Sequence, residues 1–131
     1  MLLDTSGLLC YFDHDDSRNQ EAVDLVRSAP LLLTHNYVLA EFVPLCHTRR
    51  LNRIRSLAFL SRLHDHPNVT ILWVDPSLHR TALALLRARP DKTYSLCDAV
   101  SFILMRRRGV AEALTTDTHF DQEGFVRLLK A

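Results

Sequence analysis

Four carboxylates in this chain lie at the end of a short apolar run, at the start of a helical stretch or within one. They are Asp4, Glu41, Asp98 and Asp117. If the fold brings them within about 4–6 Å of one another, each negative charge raises the pKa of its neighbours, and a hard divalent cation with oxygen ligands relieves that repulsion. The residue types and their positions therefore predict a divalent-metal site.

Short β-like runs alternate with longer helical segments along the chain. The predicted strands are Leu2–Leu3, Leu31–Thr34, Val69–Val74, about Glu112–Thr115 and about Phe125–Leu129. Strands separated by helices predict βα units, and hence an α/β fold with a mostly parallel sheet and helices on both faces. Asp4 and Asp117 would then lie at carboxyl ends of strands, the edge where open α/β sheets bind ligands. Glu41 and Asp98 would come from helices near the same rim.

Capping residues predict where several helices begin and end. The predicted helices begin near Ser6, Ser17, Tyr37, Leu51, Pro76 and Ser95. Ser17 and Gln20 have the spacing of a capping box, and Asp75 is expected to cap the helix that follows it. Gly109 predicts the end of the last long helix. Trp73, inside the third predicted strand, is expected to belong to the core and not to an RNA-stacking surface.

The composition favours one intracellular domain. At 131 residues the chain can bury roughly two-thirds of its unfolded surface, and we expect residues 1–131 to form a single domain. Cys10, Cys46 and Cys97 form no CxxC pair, which argues against a cysteine zinc site or a disulfide framework and favours the reducing cytoplasm. No apolar run approaches the roughly 20 residues that cross a bilayer, so no membrane partner is expected.

Arginine dominates the basic residues. Of sixteen Lys and Arg residues only Lys92 and Lys130 are lysines, and the net charge is +1. An arginine cluster formed by Arg49, Arg50 and Arg53 offers forked donors that suit phosphate groups. An ordinary solvated helix face explains such a cluster equally well.

The four acids lie in segments that follow one another in a recognisable order. These segments are Asp4-Thr5-Ser6, the helix around Glu41, Ser95-Leu96-Cys97-Asp98-Ala99 and Thr115-Thr116-Asp117-Thr118-His119-Phe120. Together they resemble a PIN domain, in particular the small single-domain VapC-like toxins, over essentially the whole chain. The resemblance implies a three-layer α/β/α sandwich and a Mg²⁺- or Mn²⁺-dependent endoribonuclease. Toxins of this kind are commonly homodimers that a cognate antitoxin protein holds inactive, and the resemblance implies the same for this chain.

The resemblance assigns supporting roles around the acidic quartet. Ser6 matches a hydroxyl that helps to orient the first aspartate or a bound water. Ser95 and Thr116 occupy hydroxyl positions beside the third and fourth acids, where they are expected to orient the ligands. Family members often carry another aspartate where this chain has His119, and Asp121 is a candidate to replace it at a second metal position.

Hydrolysis of an RNA phosphodiester requires residues of these types. One or two divalent ions generate a nucleophile from water at neutral pH and neutralise the leaving oxygen. All-oxygen ligation favours Mg²⁺ or Mn²⁺ over Zn²⁺. We expect Asp4 and Asp98 to share a metal, and Asp117 to complete its ligands or hold a second ion. Glu41 is expected to position the attacking water, although a kink at Pro44 would shift it.

Two other functions fit parts of this pattern. One is a non-catalytic PIN-like module that binds RNA or protein. The other is a phosphatase with Asp4 as its nucleophile, but Ser6 stands where that chemistry places a second aspartate. Asp98 also has a purely structural interpretation as the third residue of a capping box begun by Ser95. Under the endoribonuclease interpretation, the arginine cluster is a candidate RNA-binding surface.

Overall fold

A computed structural model describes the whole chain, residues 1–131, and shows five strands in one sheet. The strands are β1 (Leu2–Leu3), β2 (Leu32–His35), β3 (Val69–Leu72), β4 (Glu112–Leu114) and β5 (Val126–Arg127). All neighbouring pairs are parallel, and the spatial order is β3-β2-β1-β4-β5. After β1 the chain adds β2 and β3 on one side of the sheet, and it then adds β4 and β5 on the other side of β1. The switch in strand order therefore lies between β1 and β4, where ligands bind in sheets of this kind.

Seven helices cover the two faces of the sheet. They are α1 (Thr5–Phe12), α2 (Asn19–Ser28), α3 (Asn36–Thr48), α4 (Arg53–Asp65), α5 (Pro76–Arg87), α6 (Leu96–Arg108) and α7 (His119–Gln122). Buried side chains of α1 to α4 form the main core on one face, and those of α5 to α7 form two smaller clusters on the other. The predicted three-layer α/β/α fold is confirmed. None of the helices is long and apolar enough to cross a membrane.

The apolar character of the strands follows from burial on both faces. Leu3 packs against the main core, whereas its neighbour Leu2 packs on the opposite side, and both are fully buried. Leu32 and Leu33 divide between the two faces in the same way. Successive side chains of a strand point to opposite faces, so a strand covered on both sides reads as an apolar run.

Gly7 allows α1 to approach β4 closely. A Cβ atom added at Gly7 would lie 1.8 Å from the backbone oxygen of Leu114. No side chain can be accommodated at that distance, which explains why glycine occupies this turn of α1. The close contact brings the start of α1, which Asp4 precedes as the N-cap residue, against the end of β4.

Several local predictions are confirmed. The Asp75 carboxylate accepts the backbone N–H of Leu78 at 2.7 Å and caps α5. Gly109 ends α6 in the left-handed conformation, with φ of 66°. Helix α3 runs through Pro44 without a break, and the expected kink that would shift Glu41 stays a prediction.

Two local predictions are wrong. Ser17 does not cap α2, because the N-cap residue is Arg18 and no side chain caps the helix. The turn before α2 is organised by Asp16, which accepts the Arg18 backbone N–H at 2.8 Å and pairs with the Arg18 guanidinium. Trp73 lies just beyond β3 and is 66% exposed, beside the ring of His64. Trp73 belongs to none of the three clusters of core side chains, although its neighbours Leu72 and Val74 pack against them.

Candidate active site

A pocket of about 630 Å³ opens at the carboxyl ends of β1 and β4. Its lining includes the four predicted acids Asp4, Glu41, Asp98 and Asp117, together with Ser6, Ser95, Thr116 and His119. Acids that are as much as 113 positions apart in the chain thus meet at the switch in strand order. The structure brings together the acids that the sequence pattern singled out.

Asp4 is held by a hydroxyl from the neighbouring strand. Leu3 of β1 pairs in register with Leu114 of β4, which places Asp4 beside Thr115. The Thr115 Oγ1 donates to Asp4 Oδ2 at 2.8 Å, and both residues are buried. One oxygen of the Asp4 carboxylate is therefore fixed across the sheet.

A small hydroxyl network extends this contact along the loop after β4. The hydroxyl oxygens of Ser6 and Thr115 lie 3.1 Å apart. Ser6 Oγ accepts the backbone N–H of Thr116 at 3.0 Å, and Thr115 Oγ1 accepts that of Asp117 at 3.0 Å. Ser6 Oγ lies 3.5 Å from Asp4 Oδ2, and its role in orienting the first aspartate stays a prediction. Thr115 holds the first acid, whereas Thr116 contributes its backbone N–H.

Asp98 serves the helix and the pocket together. Its backbone N–H donates to Ser95 Oγ at 2.9 Å, and its Oδ2 accepts the Ser95 backbone N–H at 3.0 Å, which completes a capping box at the start of α6. The carboxylate is buried and also lines the pocket. The structural interpretation of Asp98 and the functional one are thus compatible, because the cap fixes the carboxylate at the rim.

His119 contacts two of the acids. Its Nδ1 lies 3.1 Å from Asp98 Oδ2 and 3.3 Å from Asp117 Oδ1, and its Nε2 lies 3.0 Å from Thr93 Oγ1. The Asp117 carboxylate also accepts the backbone N–H of His119 at 2.9 Å. The three side chains of Asp98, Asp117 and His119 each offer a ligand atom within 4.8 Å of the others. A nitrogen therefore enters a site for which only oxygen ligands were expected.

Glu41 lies on the open side of the pocket. It belongs to α3, which follows β2 directly, and its Oε1 accepts a hydrogen bond from Thr5 Oγ1 at 3.1 Å. The residue is exposed, whereas Asp4 and Asp98 are buried. Glu41 is therefore the acid that water and substrate reach most easily.

The electrostatics of the pocket fit a divalent cation. Burial raises the pKa of Asp4 to about 7, and the charges of Asp98 and Asp117 act in the same direction against the hydrogen bond from Thr115. Burial and the charge of Asp117 also raise the pKa of Asp98. Among the lining residues only His119 can carry a positive charge. Neither lysine nor arginine relieves the repulsion, so the donor set suits a bound metal ion.

Other predicted site residues lie outside the pocket. The Asp121 carboxylate pairs with Arg127 at 2.7 Å and does not line the pocket. Arg49, Arg50 and Arg53 are exposed where α3 ends and α4 begins. They follow Thr48, which does line the pocket. The arginine cluster is thus adjacent to the pocket in the chain but not part of its wall.

Comparison with known proteins identifies the family. The family model described as the PIN domain matches residues 1–125. This chain belongs to the PIN domain family. A protein named 23S rRNA-specific endonuclease VapC20, from Mycobacterium tuberculosis strains H37Rv and CDC 1551, is 31% identical over 129 residues, covering 98% of this chain and 97% of the relative.

A solved structure shows the same relationship in three dimensions. The crystal structure of Mycobacterium tuberculosis VapC20, described as a sarcin-ricin loop cleaving toxin, superimposes with a TM-score of 0.87 at 29% identity. The match covers 99% of this chain and 98% of that one. The predicted PIN fold and its VapC-like relationship are confirmed.

Proposed function

We propose that this protein is a divalent-metal-dependent endoribonuclease and the toxin of a toxin-antitoxin pair. The observation that supports this function most directly is the meeting of four acids in one pocket without a neutralising lysine or arginine. The likeness to a VapC toxin endonuclease over nearly the whole chain supports the same reaction.

The pocket residues divide into holding and orienting roles. Asp4, Asp98 and Asp117 would hold Mg²⁺ or Mn²⁺, which would supply an activated water and neutralise charge on the leaving oxygen. Glu41, exposed and oriented by Thr5, accepts a hydrogen bond from the attacking water and directs it at the phosphorus. Cleavage by water in this arrangement leaves a 5′-phosphate and a 3′-hydroxyl.

Ribosomal RNA is the substrate class that the relatives support. The curated relative acts on 23S rRNA, and the arginine cluster at the end of α3 offers forked donors to an RNA backbone. An RNA hairpin that contains the sarcin-ricin loop is the first substrate to test. We expect Mg²⁺- or Mn²⁺-dependent cutting of this hairpin and no hydrolysis of para-nitrophenyl phosphate. Hydrolysis of the phosphate ester without RNA cutting would favour the phosphatase instead.

An antitoxin segment is the partner proposed for a second groove. This groove, of about 640 Å³, lies between α1, α2 and α4, and its apolar wall includes Phe12, Phe59 and Ile54, the last 81% exposed. Arg27, Arg55 and Arg62 also line it, and no acidic residue does. An apolar segment with flanking carboxylates would complement this surface in shape and charge.

Binding of a co-encoded small protein tests the groove. Ile54→Asp is expected to weaken the complex at least tenfold, because it places a charge in the apolar wall. Leu83→Asp is a matched control, since Leu83 is an exposed leucine of α5 outside the groove. Equal affinities of the two variants would contradict the assignment.

A homodimer is also proposed, and light scattering of the purified protein tests it.

A cytoplasmic location agrees with this function. The proposed RNA substrate is found there, and Cys10, Cys46 and Cys97 are all free and buried. A reducing compartment keeps such thiols unpaired.

A further inference from the structure

His119 is placed where a metal ligand would be. Its Nδ1 lies 3.1 Å from Asp98 Oδ2 and 3.3 Å from Asp117 Oδ1. Neighbouring ligands on an octahedral ion with bonds of about 2.1 Å lie about 3 Å apart. The nitrogen therefore lies at the spacing of an adjacent ligand from one oxygen of each acid, and ligand atoms of the three residues all lie within 4.8 Å of one another.

The imidazole ring is fixed in this orientation by groups outside the acid cluster. Nε2 lies 3.0 Å from Thr93 Oγ1, and the ring packs edge-on against Tyr94 with centroids 5.2 Å apart. A hydroxyl can donate or accept, so Thr93 holds the ring whether Nδ1 carries the proton or binds a metal. When Nδ1 is the ligand, Nε2–H donates to Thr93, which is the outer partner that ligating histidines require.

We propose that His119 Nδ1 is a direct metal ligand and that it makes the site prefer Mn²⁺ to Mg²⁺. The proposal rests on the metal-dependent function given above. Mg²⁺ is a hard ion that is held by oxygen, whereas imidazole is a ligand of first-row transition ions. A neutral nitrogen beside the two carboxylates leaves the oxygen ligands that suit Mn²⁺ in place and adds a donor that Mg²⁺ binds poorly.

Pulsed electron paramagnetic resonance of the Mn²⁺-loaded full-length protein tests the ligand directly. We expect nitrogen modulation from a bound imidazole, and its replacement by the ¹⁵N pattern when only the histidines are ¹⁵N-labelled. This measurement uses the wild-type protein, so it does not depend on the folding of a variant. A Mn²⁺ signal without histidine nitrogen coupling would overturn the proposal.

Titration of Mn²⁺ and Mg²⁺ into His119→Asp tests selectivity. The ratio of the Mg²⁺ to the Mn²⁺ dissociation constant is expected to fall by roughly 10- to 100-fold relative to wild type. His64→Asp is the matched control, because His64 is an exposed histidine of α4 that does not line the pocket, and its ratio should equal that of wild type. An unchanged ratio in His119→Asp would also overturn the proposal.

These outcomes separate this inference from the proposed function. If wild type binds Mn²⁺ and cuts RNA but shows no histidine nitrogen, only the role of His119 is wrong. If wild type binds neither ion and RNA is not cut, the metal-dependent nuclease itself is wrong.

Discussion

The hydroxyl of Thr115 donates to Asp4 Oδ2 at 2.8 Å, across the junction between β4 and β1. This bond joins two residues that are 111 positions apart and that both lie in the buried floor of the pocket. It also partly offsets the effect of burial on the Asp4 carboxyl, because it favours the charged form. Thr115 is therefore a positioning residue for the first acid of the site.

Thr115→Val tests this role, because it keeps the shape of the side chain and removes the hydroxyl. Asp4 and the backbone N–H of Asp117 then lose a partner, and we expect a loss of about 1–3 kcal/mol of unfolding free energy. RNA cleavage should fall about 10- to 100-fold. Urea unfolding and cleavage rates measure the two effects. Thr118→Val, at an exposed position, is the control; similar behaviour of the two variants would argue against the role of Thr115.

Gly7→Ala should destabilise the protein more than an alanine at another glycine. The new Cβ would lie 1.8 Å from the Leu114 oxygen, so α1 must move away from β4, at about 3 kcal/mol or more. The matched control is Gly109→Ala, where nothing lies within 4 Å and only the left-handed backbone is strained, at about 1 kcal/mol. Equal unfolding free energies of Gly7→Ala and Gly109→Ala would show that the close approach of α1 to β4 does not limit stability.

Much of this site follows from short stretches of sequence. An apolar run that ends in Asp4, and another that leads into Asp117, place two acids at strand ends by secondary structure alone. The capping-box spacing with Ser95 similarly predicts that Asp98 lies in the first turn of a helix. Such features depend on neighbours within a few residues, and sequence patterns report them well.

Contacts between distant segments could not be read from the pattern. Thr5 meets Glu41 and Thr115 meets Asp4 only because of the strand register and helix packing. The register of Leu3 with Leu114 would have identified Thr115, since it follows β4 directly. The exposure of Trp73 likewise depends on which side chains of other elements pack over the end of β3, which strand propensity does not encode. The sequence pattern also does not predict the short helix α7, which begins at His119.

The Asp4 carboxyl should make the stability of the metal-free protein depend on pH. Its pKa is about 7 in the folded protein, above the value of about 3.9 for an unfolded aspartate. The native state binds more protons than the unfolded state between these values, so its stability falls as pH rises from about 4 to about 7. The full effect is on the order of 4 kcal/mol.

Urea unfolding in EDTA at several pH values measures this dependence. Asp4→Asn should remove most of the fall between pH 4 and pH 7, because the amide does not titrate. If the unfolding free energy of wild type changed with pH in the same way as that of Asp4→Asn between about pH 4 and about pH 7, the raised pKa of Asp4 would be contradicted.

Removing one negative charge from the pocket should help the metal-free protein and reduce its response to metal. We expect Asp98→Asn and Asp117→Asn to melt at or above wild type in EDTA, because repulsion between the acids is relieved. Wild type should gain about 2.7 kcal/mol at one hundred times the dissociation constant of Mg²⁺ or Mn²⁺, and the variants less. Lower melting of both variants in EDTA, with an equal gain from metal in all three proteins, would mean that the acids do not share a metal.

Cleavage of a defined RNA by wild type, Asp4→Asn and Asp98→Asn tests the central claim most directly. These substitutions keep side-chain size and remove the charge that holds the ion. With Mg²⁺ or Mn²⁺, wild type is expected to produce fragments with 5′-phosphate ends, excess EDTA should stop the reaction, and neither variant should cut. Undiminished cleavage by wild type in EDTA, or by both asparagine variants, would contradict a metal-dependent nuclease centred on Asp4 and Asp98.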